Sequence, residues 1–206
     1  MILVIDTSSS NVTVSIIQND KVEFSFSKKV DNDIASKILP IIDKGLKELG
    51  LDVKSINKLF VVNGPGSFTG VRIGVTVAKT IGWALNINVV PISSLELIAT
   101  TPVTNKYIVP LIDARRGNVY AGVYDTNLNN VVDDKLVSIE DILRYDNSEY
   151  AFVSYDEIKG IETIMPNIDV LSVVKKHIDD EGILAHNLKP KYLKLTEAEE
   201  NRLKND

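Results

Sequence analysis

The sequence predicts an α/β protein made of two copies of a β-β-β-α-β-α unit. Three observations support this fold class: a meander of alternating strands opens the chain, helical periodicity follows, and the same order of elements restarts near residue 107. The chain has 206 residues, 44% hydrophobic and 25% charged, with a net charge of −5. This composition is typical of a folded globular protein and excludes intrinsic disorder as its main state.

Composition also excludes several kinds of chemistry. The sequence holds no cysteine, which rules out disulfides, thiolate zinc sites, iron–sulfur clusters and cysteine nucleophiles. The apolar run at residues 2–5 lacks a preceding basic segment and ends at Asp6. We therefore expect no signal peptide, no membrane span and a cytoplasmic location. An isoelectric point near 5.2 argues against broad nucleic-acid binding.

Strand signals occur in both halves of the chain. Short apolar runs or alternating apolar and polar residues are bounded by polar turns. We predict strands at residues 2–5, 12–16, 22–26, 59–62 and 89–90 in the first half, and at 107–112, 119–124, 131–137 and 150–153 in the second.

The first predicted helix covers residues 31–49 and ends before Gly50. Pro40 inside it should kink the helix or remove one hydrogen bond. Apolar residues recur at helical spacing, and Leu39 and Leu46 widen their arc. Two interpretations remain open: the helix is buried in its own core, or it also contacts a partner. On this helix alone the first is preferred.

The second predicted helix follows a glycine-rich segment at residues 63–70 and runs to about residue 85. The segment matches neither the Walker nor the Rossmann spacing, although a helix N-terminus of this kind can bind an anion. Gly70, Gly74, Ala78 and Gly82 recur every four residues and form one stripe. Because glycine weakens a helix interior, this stripe predicts close approach of another element, within the chain or from a partner.

Three further helices complete the predicted order. Ser93 and Glu96 have the form of a capping box for a helix ending near residue 100, Ser138 and Asp141 cap a short helix, and residues 169–180 form the last helix. Residues 101–105 are the best linker candidate. The predicted domains are therefore 1–104 and 105–206, with 191–206 as a segment that could pack back on the first.

An internal repeat supports this division. Offsetting the sequence by 107 residues aligns the two leading hairpins, with Ile5, Asp6, Asn11 and Val12 identical to their counterparts at 112, 113, 118 and 119. A repeat of this length is a duplicated domain. Two such units, each with an aspartate ending its first strand, resemble the actin-like ATPase fold (ASKHA). In that fold the two hairpins face each other across a cleft and address nucleotide phosphates and metal.

Catalytic candidates are few. His177 and His186 are nine residues apart and lack metal-ligand spacing, so we predict no catalytic and no metal residues. The glycines of the second half are isolated, which indicates an incomplete ATP site. Candidates for nucleotide or phosphate contact are Asp6, Thr7, Gly66, Ser67, Asp113, Arg115 and Arg116. We expect the two aspartates to be structural relics, and the two arginines either touch phosphate or form a solvated turn.

An eleven-residue motif, residues 64–74 (GPGSFTGVRIG), closely resembles the bacterial TsaB (YeaZ) family. Weaker supporting matches are residues 5–8, 93–96, 112–117 and 190–193, so the resemblance covers essentially the whole chain. Many members carry a histidine near the start of the first helix. Residues 32–36 hold none here, and no role for it can be transferred.

The resemblance implies an accessory role in making threonylcarbamoyladenosine in tRNAs that read codons starting with A. The family member is a non-catalytic partner of its larger paralogue TsaD, which transfers threonylcarbamoyl. The ATPase TsaE joins the complex, and TsaC makes the adenylate. Isolated members self-associate as homodimers. No cofactor is expected to bind this chain firmly, ATP or ADP is expected only at a subunit interface, and tRNA contact is expected to be indirect or weak.

The family pairs with TsaD through its first two helices. We therefore predict a partner interface, and expect Gly74→Leu to disrupt it. Its residues are Ile34, Ile38, Ile41, Ile42, Gly70, Arg72, Gly74, Val75, Ala78 and Gly82. Two alternatives stay open: a metallopeptidase-like protein, which is an older label of the family, and an independent actin-like small-molecule kinase.

Overall fold

Two β-sheets form the framework of the protein. The computed structural model describes residues 1–30 and 33–193. In that part of the chain the first sheet has the strand order β3-β2-β1-β4-β5 and the second the order β8-β7-β6-β9. The strands are β1 Ile2–Asp6, β2 Asn11–Gln18, β3 Lys21–Lys29, β4 Lys58–Val62, β5 Val89–Ile92, β6 Tyr107–Arg115, β7 Asn118–Asp125, β8 Asn130–Ser138 and β9 Tyr150–Val153.

Helices connect the strands and cover the sheets. The α-helices of the described residues are α1 Ile34–Glu48, α2 Phe68–Leu85, α3 Ser94–Ala99, α4 Ile139–Ile142 and α5 Val170–Lys176. Short 3-10 turns lie at Val53–Ser55 and Ala185–Asn187. The predicted last helix is shorter than expected: it ends at Lys176, and the backbone of His177 has left helical geometry.

The two halves repeat one strand topology. In the first half β1 pairs antiparallel with β2 and parallel with β4. In the second half β6 pairs antiparallel with β7 and parallel with β9. The predicted order of elements in both halves is therefore confirmed. The first half continues with β5 and α3, which have no counterpart among the described residues of the second.

Three apolar clusters define the layers. Helices α1 and α2 cover one face of the first sheet. Helices α3 and α5 lie between the two sheets and share a cluster with Phe60 of β4 and Tyr124 of β7. The outer face of the second sheet carries the third cluster, to which the four-residue helix α4 contributes Ile142. The molecule is thus held together at its centre by α3 and α5.

Helix α1 buries most of its apolar arc in its own core. Asp33 caps it, since the carboxylate accepts a hydrogen bond from the backbone N–H of Ser36. Asp31 and Asn32, where the prediction began the helix, lie outside the described residues. Ile38 and Ile42 are only 1% and 4% exposed. The preferred interpretation of a core helix is supported, and it leaves Leu39 as the large apolar side chain that α1 exposes, at 56%.

The small residues of α2 face the chain's own first sheet. A side chain at Gly70 would meet the carbonyl oxygen of Thr7, and one at Gly74 would meet the hydroxyl of Thr7. Thr7 Oγ1 also donates a hydrogen bond of 2.7 Å to the carbonyl oxygen of Gly70. Near the other end of the helix, a side chain at Gly82 would meet Val89. The stripe is therefore occupied within the chain, and it offers no free surface to a partner in this conformation.

Helix α3 is capped by Ser93 alone. The Ser93 hydroxyl accepts a hydrogen bond from the backbone N–H of Leu95. Glu96 does not complete the capping box that the sequence predicts. Its carboxylate turns toward the second half, where it accepts hydrogen bonds from Lys176 at 2.6 Å and His177 at 2.9 Å. A buried carboxylate is better satisfied by two cationic donors than by one backbone N–H.

A second polar group joins the halves beside Glu96. Ser93 donates to Asp134 at 2.5 Å, and the buried Tyr124 hydroxyl donates to the same carboxylate at 2.6 Å. We call Ser93, Glu96, Tyr124, Asp134, Lys176 and His177 the α3 clasp. Because its members come from both halves, the clasp fixes the first sheet relative to the second.

His177 makes the clasp sensitive to pH. Its two ring nitrogens contact Glu96 and Asp180, so both nitrogens donate only when the ring is protonated. The hydrogen bond to Glu96 raises the pKa of His177. Burial of the ring opposes this shift, and the hydrogen bond and charge of Asp180 add to it. For Glu96, burial raises the pKa, but the hydrogen bonds and charges of His177 and Lys176 outweigh it and lower the pKa.

We predict that wild type is more stable than His177→Gln by about 1 kcal/mol near pH 5.5, after allowance for partial exposure of the ring. A raised histidine pKa stabilises the fold fully below the unfolded value of 6.5, and this stabilisation is lost as pH rises through the folded pKa. The difference in free energy of unfolding should therefore shrink by pH 8.5, as measured by urea denaturation. It should also decline as pH falls below 4.5 and Glu96 protonates.

His186→Gln is the matched control, because the His186 imidazole takes no part in the α3 clasp. Its effect on stability should not vary with pH in this way. A difference between wild type and His177→Gln that stays constant from pH 5.5 to 8.5 would contradict the role assigned to the ring.

Candidate functional site

A cleft lies where the turns of the two leading hairpins meet the glycine motif. Its volume is about 540 Å3. The predicted site residues Gly66, Ser67, Asp113 and Arg115 line it, and Ser8–Ser10 form the wall opposite the second hairpin. The other three candidates, Asp6, Thr7 and Arg116, fall outside this lining. The structure thus brings the two hairpins together across one cleft.

The two aspartates perform the same local task. Asp6 Oδ1 accepts a hydrogen bond of 2.7 Å from the backbone N–H of Ser8. Asp113 Oδ1 accepts one of 2.8 Å from the backbone N–H of Arg115. Each carboxylate therefore closes an Asx turn two residues further on, which orders the loop after its strand. The backbone N–H of Asp113 in turn donates to Asp156 at 3.0 Å.

The environments of these aspartates differ. Asp6 is 7% exposed, and burial raises its pKa to about 6, although the hydrogen bonds from Ser8 oppose the shift. Burial, and then the charge of Asp6, raise the pKa of nearby Tyr155 to about 12. Asp113 is exposed at the cleft. Asp113 and Asp156 place negative charge at the cleft, and Arg115 is the cation among its lining residues. The cleft is polar, with no net positive charge to attract phosphate.

The glycine motif is a packing junction. Gly64 has φ +121, and a side chain there would meet the carbonyl oxygen of Lys191. The backbone N–H of Lys191 donates to the carbonyl oxygen of Asn63 at 2.7 Å. On its other side the motif contacts the first hairpin, since Ser67 N–H donates to Ser8 at 2.7 Å. Lys191 therefore lies on the first half, as does Tyr192, whose hydroxyl accepts a hydrogen bond from Arg72. Residues 194–206 of the predicted segment lie outside the described residues.

The outer face of α2 is exposed and carries large side chains. We define it as Phe68, Arg72, Thr76, Thr80 and Trp83. Arg72 and Trp83 are 11 residues apart, which on a helix is about 16 Å along the axis and nearly the same angular position. Trp83 is 79% exposed and Phe68 is 51% exposed. Thr76 and Thr80, which lie between Arg72 and Trp83 on this face, are also exposed.

The predicted partner residues divide by burial. Arg72 is exposed, and Ile34 and Ile41 are partly buried against the core. The others are enclosed within the chain, so we remove them from direct contact: Ile38, Ile42, Gly70, Gly74, Val75, Ala78 and Gly82. The exposed residues Phe68, Thr76, Thr80 and Trp83 of α2 are not among the predicted partner residues. The sequence carries a signal for their exposure, because they lie on the helix face opposite the small-residue stripe.

Two further observations concern metal binding and membrane-spanning helices. Across residues 1–30 and 33–193, no group of three or more histidine, aspartate or glutamate side chains is arranged to hold a metal ion. No helix in the same part of the chain has the length and apolar character needed to cross a membrane. His177 belongs to the α3 clasp, and His186 lies in the 3-10 turn Ala185–Asn187.

We predict that Asp6→Asn stabilises the protein by about 1–3 kcal/mol at pH 7.5. The amide oxygen keeps the hydrogen bond from Ser8, while the charge buried in wild type is removed. Because the folded pKa of about 6 exceeds the reference value of 3.8, wild type loses stability as pH rises through this window. The variant should not, and denaturant unfolding between pH 4 and 8 measures the difference.

Asp113→Asn is the control, since it alters the equivalent Asx turn at an exposed position. It should leave stability within about 0.5 kcal/mol of wild type at pH 7.5. If Asp6→Asn is no more stable than wild type at pH 7.5, the buried charge at Asp6 is not destabilising.

Comparison with known proteins agrees with this fold. A family model described as TsaD, tRNA N6-adenosine threonylcarbamoyltransferase, matches residues 28–173. The tRNA threonylcarbamoyladenosine biosynthesis protein TsaB of Bacillus subtilis (strain 168) is 32% identical, over 96% of each chain. The protein of the same name from Escherichia coli (strain K12) is 30% identical over 63% of this chain and 57% of its own.

Solved structures confirm the fold class. YeaZ from Pseudomonas aeruginosa superposes with a TM-score of 0.78 at 21% identity, covering 93% of this chain and 99% of that one. A second Pseudomonas aeruginosa structure, described as similar to peptidase YEAZ, gives a TM-score of 0.79 at 21% identity, covering 94% and 99%. By sequence relationship, within the wider family that the TsaD model describes, this chain belongs to the TsaB (YeaZ) family of tRNA threonylcarbamoyladenosine biosynthesis proteins.

Proposed function

We propose that this chain is a non-catalytic subunit that binds TsaD and supports its transfer of threonylcarbamoyl to tRNAs reading codons that start with A. The exposed outer face of α2 is the observation that carries the proposal. Family membership indicates a role in tRNA threonylcarbamoyladenosine biosynthesis, and the α2 outer face is a surface that can bind a partner.

The composition of the α2 outer face suits a protein interface. Tryptophan and arginine are the side chains most often found at the energetic centres of such interfaces, with small polar residues around them. The chain has one tryptophan, Trp83. Leaving its indole 79% exposed in the isolated chain costs hydration free energy that binding would recover.

A paralogous partner fits this surface. One family model describes TsaD and also matches this chain, so the partner is expected to share the arrangement of helices over its first sheet. Helix α2 packs closely on β1 because Gly70 and Gly74 have no side chains. Its opposite face is therefore held on a rigid support, and a helix of the partner can lie along the threonines between Arg72 and Trp83. Helix α1, which contacts α2, carries a further exposed apolar side chain, Leu39.

The remaining parts of the proposal concern the assembly. In isolation two copies of this chain self-associate through the α2 outer face, and TsaD competes with that contact. TsaE joins the complex, TsaC supplies the adenylate, and ATP or ADP occupies a subunit interface instead of the polar cleft. Contact with tRNA is indirect or weak, in keeping with the net charge of −5. The complex acts in the cytoplasm.

Light scattering after size exclusion tests the proposal. The chain is measured alone and after mixing with TsaD of the same organism. A heterodimer that replaces a self-dimer is the expected result. If no complex forms, with or without TsaE and ATP, the subunit role is contradicted, and assays of ATP turnover and peptidase activity on the isolated chain would test the two alternatives.

We predict that Trp83→Ala weakens binding to TsaD about 30-fold, the size expected when an interface anchor worth about 2 kcal/mol is removed. The melting temperature should stay within about 2 °C of wild type, because the exposed indole contributes little to the chain's own core. Isothermal titration calorimetry and thermal denaturation measure the two quantities.

Two variants separate binding from folding. Val131→Ala removes another exposed apolar side chain, on β8, and should leave binding unchanged. Gly74→Leu should lower stability by several kcal/mol, because its side chain would collide with Thr7. Its loss of binding would therefore report on folding. Equal affinity of wild type and Trp83→Ala would place the interface elsewhere.

A further inference from the structure

Arg72 is held in a fixed position by two aromatic rings. Its guanidinium carbon lies 3.7 Å from the centre of the Phe68 ring. Its Nε donates a hydrogen bond of 2.8 Å to the hydroxyl of Tyr192. The Phe68 and Tyr192 rings stack on each other, with centres 5.5 Å apart. An arginine on an exposed helix would otherwise sample many rotamers, so this arrangement removes much of the entropy cost of binding.

Among the described residues, the hydrogen bond to Tyr192 uses one of the five N–H donors of Arg72. Guanidinium carries five N–H donors, of which Nε–H is one. Among the described residues, Tyr192 is the hydrogen-bond partner of Arg72, and no ion pair of Arg72 occurs there. Within residues 1–30 and 33–193 the two terminal nitrogens have no hydrogen-bond partner, and Arg72 is exposed on the α2 outer face beside the exposed Phe68 and Tyr192 rings.

From this geometry we infer that Arg72 is the specificity-determining residue of the α2 outer face, and that it binds one aspartate or glutamate carboxylate of the partner through both terminal nitrogens. This inference rests on the proposed function. A paired arrangement of two parallel N–H···O bonds matches a carboxylate, and the flanking rings shield the pair from water. Trp83 then supplies apolar area, while Arg72 sets register and partner choice.

A protein carboxylate is favoured over a tRNA phosphate as the ligand. The face that carries Arg72 continues into two threonines and an exposed tryptophan, which suit a protein helix. Nucleic-acid surfaces need several cations in a row. Lysine could not take over this role of Arg72, because a lysine ammonium is a point charge that cannot form the two parallel hydrogen bonds.

The experiment compares Arg72→Lys and Arg72→Gln with wild type by titration against TsaD of the same organism. We expect Arg72→Gln to weaken binding about 30-fold, and Arg72→Lys to weaken it at least 10-fold although the charge is kept. Arg144→Lys is the matched control: an exposed arginine that forms an ion pair with Asp141 of α4 in the second half, and the change should leave affinity unchanged. Thermal denaturation of each variant checks folding.

A double-mutant cycle then identifies the carboxylate. Each aspartate and glutamate on the TsaD surface that binds this chain is changed to its amide and titrated against wild type and Arg72→Gln. At one position the amide substitution should weaken binding to wild type but not to Arg72→Gln, with a coupling of at least fivefold in affinity. Coupling below that value at every position would overturn the inference.

Other results also discriminate. Wild-type affinity in Arg72→Lys would overturn the inference and leave the proposed function standing. A loss of tRNA binding by the complex, with TsaD binding unchanged, would assign Arg72 to a phosphate and overturn it too. Failure of wild type to bind TsaD would overturn the proposed function and the inference together.

Discussion

The close packing of α2 against the end of β1 is the constraint on which most of the functional surface depends. Thr7 is fully buried, and its carbonyl oxygen and hydroxyl occupy the places where side chains at Gly70 and Gly74 would lie. Only a helix without side chains at these positions can approach so near. This contact sets the height of α2 over the first sheet, and with it the position of one cleft wall and of the α2 outer face.

The α3 clasp gives the molecule its second constraint. The two similar halves face each other across a cleft, and Glu96 and Asp134 connect them through short hydrogen bonds to buried or half-buried donors. Any other arrangement of the halves that kept Glu96 buried but removed its cations would leave an unpaired carboxylate in an apolar surrounding, which is costly. The clasp therefore favours one arrangement of the two sheets, a property suited to a subunit that presents a fixed surface.

Duplication and divergence are both visible in the two hairpins. Asp6 and Asp113 close the same Asx turn, as expected for residues related by the repeat. Yet one is buried with a raised pKa and the other is exposed. The covering helices diverge further, because α1 and α2 have 15 and 18 residues whereas α4 has four. The halves thus retain a common strand topology, and within the described residues the long helices that can present an extended outer face belong to the first half.

Periodicity and turn chemistry in the sequence were sufficient for the strands, the helices, the repeat and the fold class, because each depends on residues close together in the chain. The sequence alone also determined the family, through the motif at residues 64–74. It could not tell whether the small-residue stripe of α2 faces inward or outward, since spacing reports that close packing occurs and not what packs there. The capping box that the sequence predicts at Glu96 does not form, for a related reason. Lys176 and His177, which are 80 and 81 residues away, are stronger partners for its carboxylate than a local backbone N–H. Only the tertiary structure decided these points, and with them the exposure of Trp83 and the clamping of Arg72, because contacts between distant residues select which face of a helix is buried.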